Sequence, residues 1–224
     1  MNPIIKVPTL SELSYQNIKE QILSGSIRPG EKINIDNYSE RLGVSTTPIR
    51  EALSKLQQEG LVQYIPRTGW RVSRISKKEF KKLQEIKALL EITLAVRALP
   101  YIKPKDIPQL VLLNNQMKSL VPSNPEMKPD LEKLLMANDR FHMYIFSFYP
   151  NDIMIEILQQ SWNNLKYPRL IWISSKDFLN NFYDEHNEII EAIRQNDASA
   201  LRTAVEKHLQ CGIEYIEECL EDKM

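Results

Sequence analysis

The stretch from Gly43 to Gly60 constrains the fold of this chain most, because it predicts two helices joined by one tight turn. Its letters are GVSTTPIREALSKLQQEG. Glycine adopts a positive φ without strain, so Gly43 is suited to close a short preceding helix. Ser45 is suited to the N-cap of the next helix, and Pro48 is tolerated in its first turn. An apolar stripe follows at spacings of four and three, formed by Ile49, Leu53 and Leu56.

The opposite face of this second helix carries side chains suited to DNA. Hydroxyl groups at a helix N-terminus can donate to phosphate oxygens, where the backbone N–H groups also favour an anion. Arg50 lies one turn further on and could donate two hydrogen bonds to guanine N7 and O6. We therefore predict a recognition helix in the major groove, with contacts from Ser45, Thr46, Thr47, Arg50 and Lys55.

Two β-prone runs follow this helix and predict a two-stranded hairpin. The runs are 61–65 and 70–72, and Pro66-Arg67-Thr68-Gly69 separates them. A basic hairpin beside a recognition helix can hold flanking phosphates or the minor groove, which is the task of a wing. The predicted wing contacts are Arg67, Thr68, Gly69 and Arg71. The alternative is a packing module with surface arginines that binds no DNA, but three helices, the turn and a basic hairpin in this order favour DNA binding.

Residues from about 9 to 74 resemble the winged helix-turn-helix of the GntR family. The resemblance is carried by SYQNIKEQILSGSIRPGE, by RLGVSTTPIREALSKLQQEGLV and by the glycine of RTGWRV. The family usually has arginine at the position of Thr46, and that arginine is one of its DNA contacts. The resemblance therefore implies operator binding through Thr47, Arg50 and Gly69, with a different operator or weaker base readout at Thr46.

Charge and composition place the chain among soluble proteins rather than membrane or secreted proteins. The net charge is zero, but residues 1–76 hold ten Lys or Arg against seven Asp or Glu. Such a small excess favours site-specific binding over general coating of nucleic acid. We find no apolar run of the ~18 residues that a span needs and no signal peptide, so we expect a cytoplasmic location. Cys211 and Cys219 lie about 12 Å apart along one predicted helix, too far for a disulfide.

The second part of the chain, 77–224, predicts a separate all-helical domain, which makes the fold mainly α. Apolar residues recur at helical spacing in about six segments, and the breaks between them carry proline or Asn196-Asp197. Only Gly212 follows Gly69, so hairpins are not expected there. We predict an antiparallel bundle with segments at 77–99, 104–120, 127–148, 151–174, 177–195 and 197–221.

All three histidines of the chain fall on inward faces of three different predicted helices. They are His142, His186 and His208. A single such histidine is more often a core residue with a hydrogen-bond partner, but three converging imidazoles favour a shared divalent transition metal. Asn138 lies one turn before His142 on the same face and is the candidate fourth ligand, whereas Asp139 points elsewhere.

The helical part resembles the FCD ligand-binding domain of the FadR subfamily of GntR regulators. The matching stretches are NDRFH at 138–142, EHNEIIEAIRQNDASA from Glu185 and EKHL at 206–209. The resemblance implies that Asn138 and the three histidines hold zinc, nickel or manganese, and that a small organic acid binds beside the metal. Six predicted helices suit its VanR-like branch. Cations that could hold the acid are Lys87, Arg140 and Arg169.

Together these features predict a DNA-binding transcriptional repressor rather than an enzyme. A homodimer held by its helical domains would read a palindromic double-stranded operator, and the acid would change operator affinity. Three alternatives stay open: a regulator that responds to the metal alone, a metal with a purely structural role, and a metal-dependent hydrolase with Glu185 as its acid or base.

Overall fold

The computed structural model describes residues 8–23, 26–124 and 127–221, with side chains as far as residue 217. These residues divide into two compact units between Ile75 and Ser76. Cys211 is an exposed free thiol, and the side chain of Cys219 lies outside the described residues. None of the helices in the described part of the chain combines the length and the apolar content that a bilayer span needs.

The described part of the first unit, 8–23 and 26–75, consists of three helices and a two-stranded antiparallel hairpin, as predicted. Gly43 ends the second helix with a φ of 65°, and Ser45 is the N-cap of the third. The helix-turn-helix and its wing are therefore confirmed. The elements are α1 (Leu10–Leu23), α2 (Ile35–Leu42), α3 (Thr46–Gln58), β1 (Val62–Ile65) and β2 (Gly69–Val72).

The helices of this unit enclose a small apolar core. Tyr64 of β1 lies opposite Trp70 of β2, and their ring centres are 5.3 Å apart. A preceding segment extends the sheet, since the Val72 N–H donates to the Glu31 carbonyl at 3.0 Å. Burial of this apolar surface fixes α3 against α1 and leaves its other face to solvent. The fully buried side chains include Ile18, Ile49, Leu53, Leu56, Leu61 and Val72.

The second unit is entirely helical in its described part. The predicted segment 151–174 is interrupted at Leu165, whose φ of −100° and ψ of 9° lie outside the helical range. Two short 3₁₀ turns, Leu99–Tyr101 and Pro104–Asp106, follow the first long helix. The α-helices are α4 (Lys77–Ala98), α5 (Ile107–Ser119), α6 (Leu131–Phe146), α7 (Asp152–Asn164), α8 (Lys166–Ile173), α9 (Lys176–Arg194) and α10 (Ala198–Glu221).

Helix α4 brings polar side chains into this otherwise apolar bundle. Its two ends bury apolar residues, but Gln84, Lys87 and Glu91 are buried in its middle. Burial of charged groups is costly unless they are paired, and Lys87 donates to Glu91 at 3.2 Å. The middle of α4 therefore forms one polar wall of a site inside the unit.

We expect Gly43→Ala to lower the free energy of unfolding by about 1 kcal/mol, because a side chain at positive φ is strained. An added Cβ would meet nothing within 4 Å among the described atoms, so backbone strain is the only cost. Urea unfolding followed by circular dichroism measures the change. Gly43→Asn is the matched control and should lose less, because asparagine tolerates the left-handed region. Equal losses in the two variants would contradict this account of the turn.

Candidate functional site

Three imidazoles meet inside the second unit. His142 of α6, His186 of α9 and His208 of α10 are buried, and one ring nitrogen of each lies within 4.8 Å of the others. The Nε2 atoms of His142 and His208 are 3.2 Å apart. Two nitrogens bound to one tetrahedral metal at about 2.0–2.1 Å would lie about 3.3 Å from each other. The three histidines singled out in the sequence thus come together at a spacing that a shared ion requires.

Asn114 of α5 orients the ring of His186. The Asn114 amide nitrogen donates to the Tyr183 backbone carbonyl and to Asn187 Oδ1, both at 3.1 Å. Its Oδ1 is therefore the acceptor that faces His186 Nδ1 at 3.2 Å. His186 must carry its proton on Nδ1, which leaves the lone pair of Nε2 directed away from Asn114 and available to a metal.

Glu185 performs the same task for His208. Its Oε2 lies 2.7 Å from His208 Nδ1 and accepts the ring N–H. A carboxylate in this position fixes the tautomer and makes the opposite nitrogen a stronger donor to a metal. Glu185 thus positions a histidine, in contrast to the acid or base role considered for it in the hydrolase alternative.

The cluster is held in the form that binds metal. Burial lowers the pKa of His142 well below its usual range, and His208 and His186 lower it further. Burial, followed by the influence of His208, also lowers the pKa of His186 well below its usual range. Both rings are therefore neutral at physiological pH, which is the state of a histidine ligand.

Two buried acceptors at the cluster have no hydrogen-bond partner among the described residues. They are His186 Nε2 and Asn138 Oδ1. An unpaired buried polar atom costs about 1–3 kcal/mol, and a cation between the rings would satisfy both atoms. Asn138 is only 8% exposed and stands one turn before His142. Three imidazole nitrogens and one amide oxygen form a donor set that suits zinc, nickel or manganese, so the residues fit the metal.

A cavity of about 50 Å³ adjoins the cluster. Asn138, His142 and His208 lie on its wall, together with Gln84, Lys87 and Arg169. Trp172 and Phe178 belong to its apolar side. Positive side chains on one wall of a partly apolar cavity form an environment suited to an anion, and a metal held by the histidines would add positive charge there.

Both cations of the cavity are held in place by acidic partners. Lys87 pairs with Glu91, and Glu91 also accepts a hydrogen bond from Trp162 Nε1 at 2.5 Å. Arg169 pairs with Asp139, and its guanidinium carbon lies 4.7 Å from the centre of the Trp162 ring. Burial lowers the pKa of Lys87, while Glu91 opposes that shift. The two cations are thus held rigidly at the cavity wall.

Arg140 was grouped with Lys87 and Arg169 as a candidate for holding the acid, and the structure corrects this placement. Arg140 is exposed and lines a different cavity, beside Lys133 and Met136. It lies two residues from both Asn138 and His142, so a helical rotation of about 200° turns it away from the histidines.

Sequence reasoning missed the residues that support the cluster from other helices. Asn114, Glu91 and Trp162 are buried polar or partly polar side chains inside apolar stripes. That placement is the one signal that could have found them, because a buried polar group needs a partner. Which residue pairs with each of these buried polar groups, however, depends on how the helices pack and cannot be read from the sequence pattern.

The recognition helix presents most of its predicted contacts to solvent. Ser45, Thr47 and Arg50 are exposed, while Thr46 is half-buried. The Ser45 side chain makes no capping hydrogen bond, so its hydroxyl is available to a phosphate. Lys55 is exposed, but its ammonium lies 4.1 Å from the centre of the Tyr15 ring and stabilises the contact between α3 and α1.

The predicted contacts of the wing differ in whether the side chain is already hydrogen-bonded within the protein. Arg67 is exposed at the tip with a φ of 66°, followed by the half-buried Thr68 and Gly69. Arg71 is different, because its guanidinium donates to the Gly30 carbonyl at 2.8 Å. Arg71 therefore braces the sheet through this hydrogen bond, and its contact with DNA stays a prediction, as does that of Arg67 at the tip.

Comparison with protein families agrees with this architecture. The model described as "Bacterial regulatory proteins, gntR family" matches residues 10–72, and the FCD domain model matches 82–210, more than half of the chain. The chain belongs to the GntR family. As a GntR-family regulator, it joins a DNA-binding module to an FCD effector-binding domain.

Individual relatives support the same assignment. The uncharacterized HTH-type regulator YdhC of Bacillus subtilis (strain 168) is 26% identical over 208 residues, or 93% of this chain and 91% of its own. The repressor RspR of Escherichia coli (strain K12) is 26% identical over 199 residues, which is 88% of this chain and 84% of its own length. The structure of E. coli McbR/YncC has a TM-score of 0.59 at 20% identity. The match covers 95% of this chain and 99% of that chain, and it shows a shared fold. The relatives are regulators and not enzymes, so the hydrolase alternative is wrong.

We expect Asn114→Ala to weaken metal binding by about 10–100-fold, because His186 would lose the contact that fixes its tautomer. Competition titration with a chromogenic zinc chelator measures the change. Asn115→Ala is the matched control, since exposed Asn115 accepts only the Tyr183 hydroxyl at 2.9 Å among the described contacts. If Asn114→Ala kept full metal affinity while circular dichroism showed it folded, this role for Asn114 would be contradicted.

Proposed function

We propose that this GntR-family regulator is a cytoplasmic homodimer that represses transcription from a palindromic operator and responds to a small carboxylic acid bound at a metal. The observation that carries the proposal is the pair of unpartnered acceptors, Asn138 Oδ1 and His186 Nε2, at three converging imidazoles. Asn138, His142 and His208 also line a cavity whose wall carries the cations Lys87 and Arg169.

The metal would supply open coordination positions for a carboxylate. Asn138, His142, His186 and His208 would hold the ion, leaving further positions toward the cavity. Lys87 has three ammonium protons and donates one to Glu91 in the described structure, so it can also donate to an anion. Arg169 adds positive charge at the same wall.

The small cavity limits the size of the acid. About 50 Å³ accommodates a short carboxylate, whereas a larger acid would require Trp172 or its neighbours to move. Because so small a cavity leaves little room for an organic ligand beside a metal, a second candidate is a regulator that senses the metal alone. Operator binding that responds to metal in the same way with and without carboxylic acids would favour the second candidate.

The acid can change operator affinity only if it binds one arrangement of the protein more tightly than another. The metal and acid contacts join α4, α6, α8, α9 and α10, so a ligand at the cavity biases the packing of these helices. In the same proposal the chain belongs to the VanR-like branch of the FadR subfamily, which the helix count supports when α7 and α8 are counted as one interrupted segment.

At the operator, Arg50 would read bases while Ser45, Thr47 and Arg67 hold phosphates. Arg50 is exposed on α3, one turn after the helix N-terminus. The half-buried Thr46 would make a shorter contact than the arginine usual in the family. Two such helices in a dimer would meet half-sites about one turn of DNA apart.

We expect Arg50→Ala to reduce discrimination between operator and random DNA by about 1–3 kcal/mol, the value of one bidentate arginine–guanine contact. Fluorescence anisotropy with labelled duplexes at physiological salt measures both affinities. Arg202→Ala, on the exposed face of α10, is the matched control and should bind like the wild type. An Arg50→Ala protein with undiminished discrimination would show that another side chain reads the bases.

We expect Lys87→Met to abolish the response of operator binding to carboxylic acids while operator affinity without acid stays near the wild-type value. The substitution keeps the length of the side chain and removes the charge that faces the cavity. Anisotropy of the operator complex, titrated with short mono- and dicarboxylic acids in excess zinc, measures the response. Arg140→Gln is the control and should respond normally. A normal response in Lys87→Met would remove Lys87 from the effector site.

A further inference from the structure

A buried polar cluster joins α1 to the end of the recognition helix α3. Tyr15 and Lys19 of α1 are only 3% and 7% exposed. The Lys19 ammonium donates to the Tyr15 hydroxyl at 2.6 Å and forms an ion pair with Glu59 at 3.2 Å. The Tyr15 hydroxyl in turn donates to the other carboxylate oxygen of Glu59 at 2.6 Å. Both carboxylate oxygens of Glu59 are therefore tied to α1.

Glu59 stands at a position that its own helix disfavours. It is the C-cap residue of α3, where the helix dipole carries partial negative charge and repels a carboxylate. Gly60, with a φ of 73°, follows the helix, and β1 of the wing begins at Val62. The contacts from α1 therefore offset an unfavourable local position, and they hold the point at which the chain passes from the recognition helix to the wing.

These polar contacts fix a direction that the apolar core does not. Ile49, Leu53 and Leu56 hold α3 through burial, but the hydrophobic effect is not directional. Hydrogen bonds and ion pairs require aligned partners. A buried ion pair contributes little net stability once the cost of desolvation is counted, and what it can supply is one specific arrangement. The contacts of Glu59 with α1 thus restrain the rotation of α3 about its own axis.

The candidate for base reading lies on the opposite side of the same helix. Arg50 precedes Glu59 by nine residues, and a rotation of about 100° per residue places the two on opposite sides of α3. Two hydrogen bonds to one guanine require the guanidinium to lie within about 0.5 Å of its productive position. A small rotation of α3 would therefore misplace Arg50, although the arginine itself is unchanged.

We propose that Tyr15, Lys19 and Glu59, hereafter the α1/α3 cluster, orient α3 so that its exposed face discriminates the operator from other DNA. Tyr15 and Lys19 are buried, and Glu59 uses both carboxylate oxygens within the protein. The three are therefore positioning residues and not DNA contacts. The inference rests on base reading by α3 in the proposed function, and it assigns the residues that orient the reading helix.

A positioning role predicts an effect on DNA binding that differs from the loss of a DNA contact. Removing a cation that contacts a phosphate weakens binding to every sequence and lowers the salt slope of the affinity by about 1. Loss of the α1/α3 cluster leaves the exposed cations of α3 and of the wing in place. It should therefore lower the affinity for the operator, while the affinity for random DNA and the salt slope stay the same.

The double variant Lys19→Met, Glu59→Met separates positioning from stability. Replacing a buried ion pair with apolar side chains is often neutral or stabilising, so we expect a folded protein at least about as stable as the wild type. The double substitution also leaves the net charge unchanged. Operator affinity should nevertheless fall about tenfold, with no change for random DNA. Urea unfolding followed by circular dichroism measures the stability.

Fluorescence anisotropy of the full-length protein with two labelled duplexes measures both affinities over a range of salt concentrations. One duplex is selected by the wild type from a random pool, and the other is a scrambled sequence of the same composition. Tyr15→Phe, which removes one hydroxyl group, should lose about threefold in discrimination. Tyr38→Phe is the matched control, because the buried Tyr38 hydroxyl joins α2 to α1 through Gln21 at 2.8 Å and does not contact α3. It should discriminate like the wild type.

A folded double variant that discriminates like the wild type would overturn the inference, because the α1/α3 cluster would then serve stability alone. Equal losses on both duplexes would overturn it as well, since they would indicate lost phosphate contacts. If the double variant does not fold, Tyr15→Phe decides the question: an unchanged discrimination, or a loss no larger than that of Tyr38→Phe, contradicts the positioning role.

The same duplexes separate this inference from the proposed function. If Arg50→Ala keeps full discrimination while the double variant loses it, the α1/α3 cluster orients α3 but another side chain of the helix reads the bases. If Arg50→Ala loses discrimination and the double variant keeps it, base reading by Arg50 stands and the cluster has no part in it. If the wild type selects no sequence from the pool, base reading by α3 and this inference both fail.

Discussion

The burial of three imidazoles in an apolar helical bundle is the constraint on which the helical unit depends. Imidazoles without partners would destabilise such a core, so each must be satisfied. Glu185 and Asn114 satisfy the outer nitrogens of His208 and His186. The Nε2 atoms of His142 and His208 face each other at 3.2 Å, while His186 Nε2 and Asn138 Oδ1 have no partner among the described residues. A cation shared by these four atoms would satisfy all of them.

The same constraint explains the unusual character of α4. A cavity beside the histidines needs polar walls, and Gln84, Lys87 and Glu91 supply them from the middle of this helix. A helix that turns polar residues inward has apolar positions left on its outer side. Ile86 and Leu89 occupy such outer positions on α4, on the same turns that carry the cavity residues.

Sequence reasoning succeeded where chemistry is local and failed where it depends on packing. Gly43 and Ser45 act through their own backbone and their nearest turns, so the helix-turn-helix could be predicted from them alone. The inward faces of the histidines followed from helical spacing. Asn114 lies 72 residues from His186, and the carbonyl that holds Arg71 belongs to Gly30, so neither contact has a signature in the local pattern. Arg140 lies two residues after Asn138 and two before His142, about 200° around α6, so helical spacing alone already argued against its placement.

The central claim is that the three histidines hold one divalent ion in this regulator. X-ray absorption spectroscopy of the full-length protein, loaded with zinc and freed of excess metal, tests it most directly. The account predicts one bound zinc per chain, with multiple scattering from three imidazoles and nitrogen ligands at about 2.0–2.1 Å. A folded protein that retains no zinc, or a spectrum without imidazole scattering, would contradict the account.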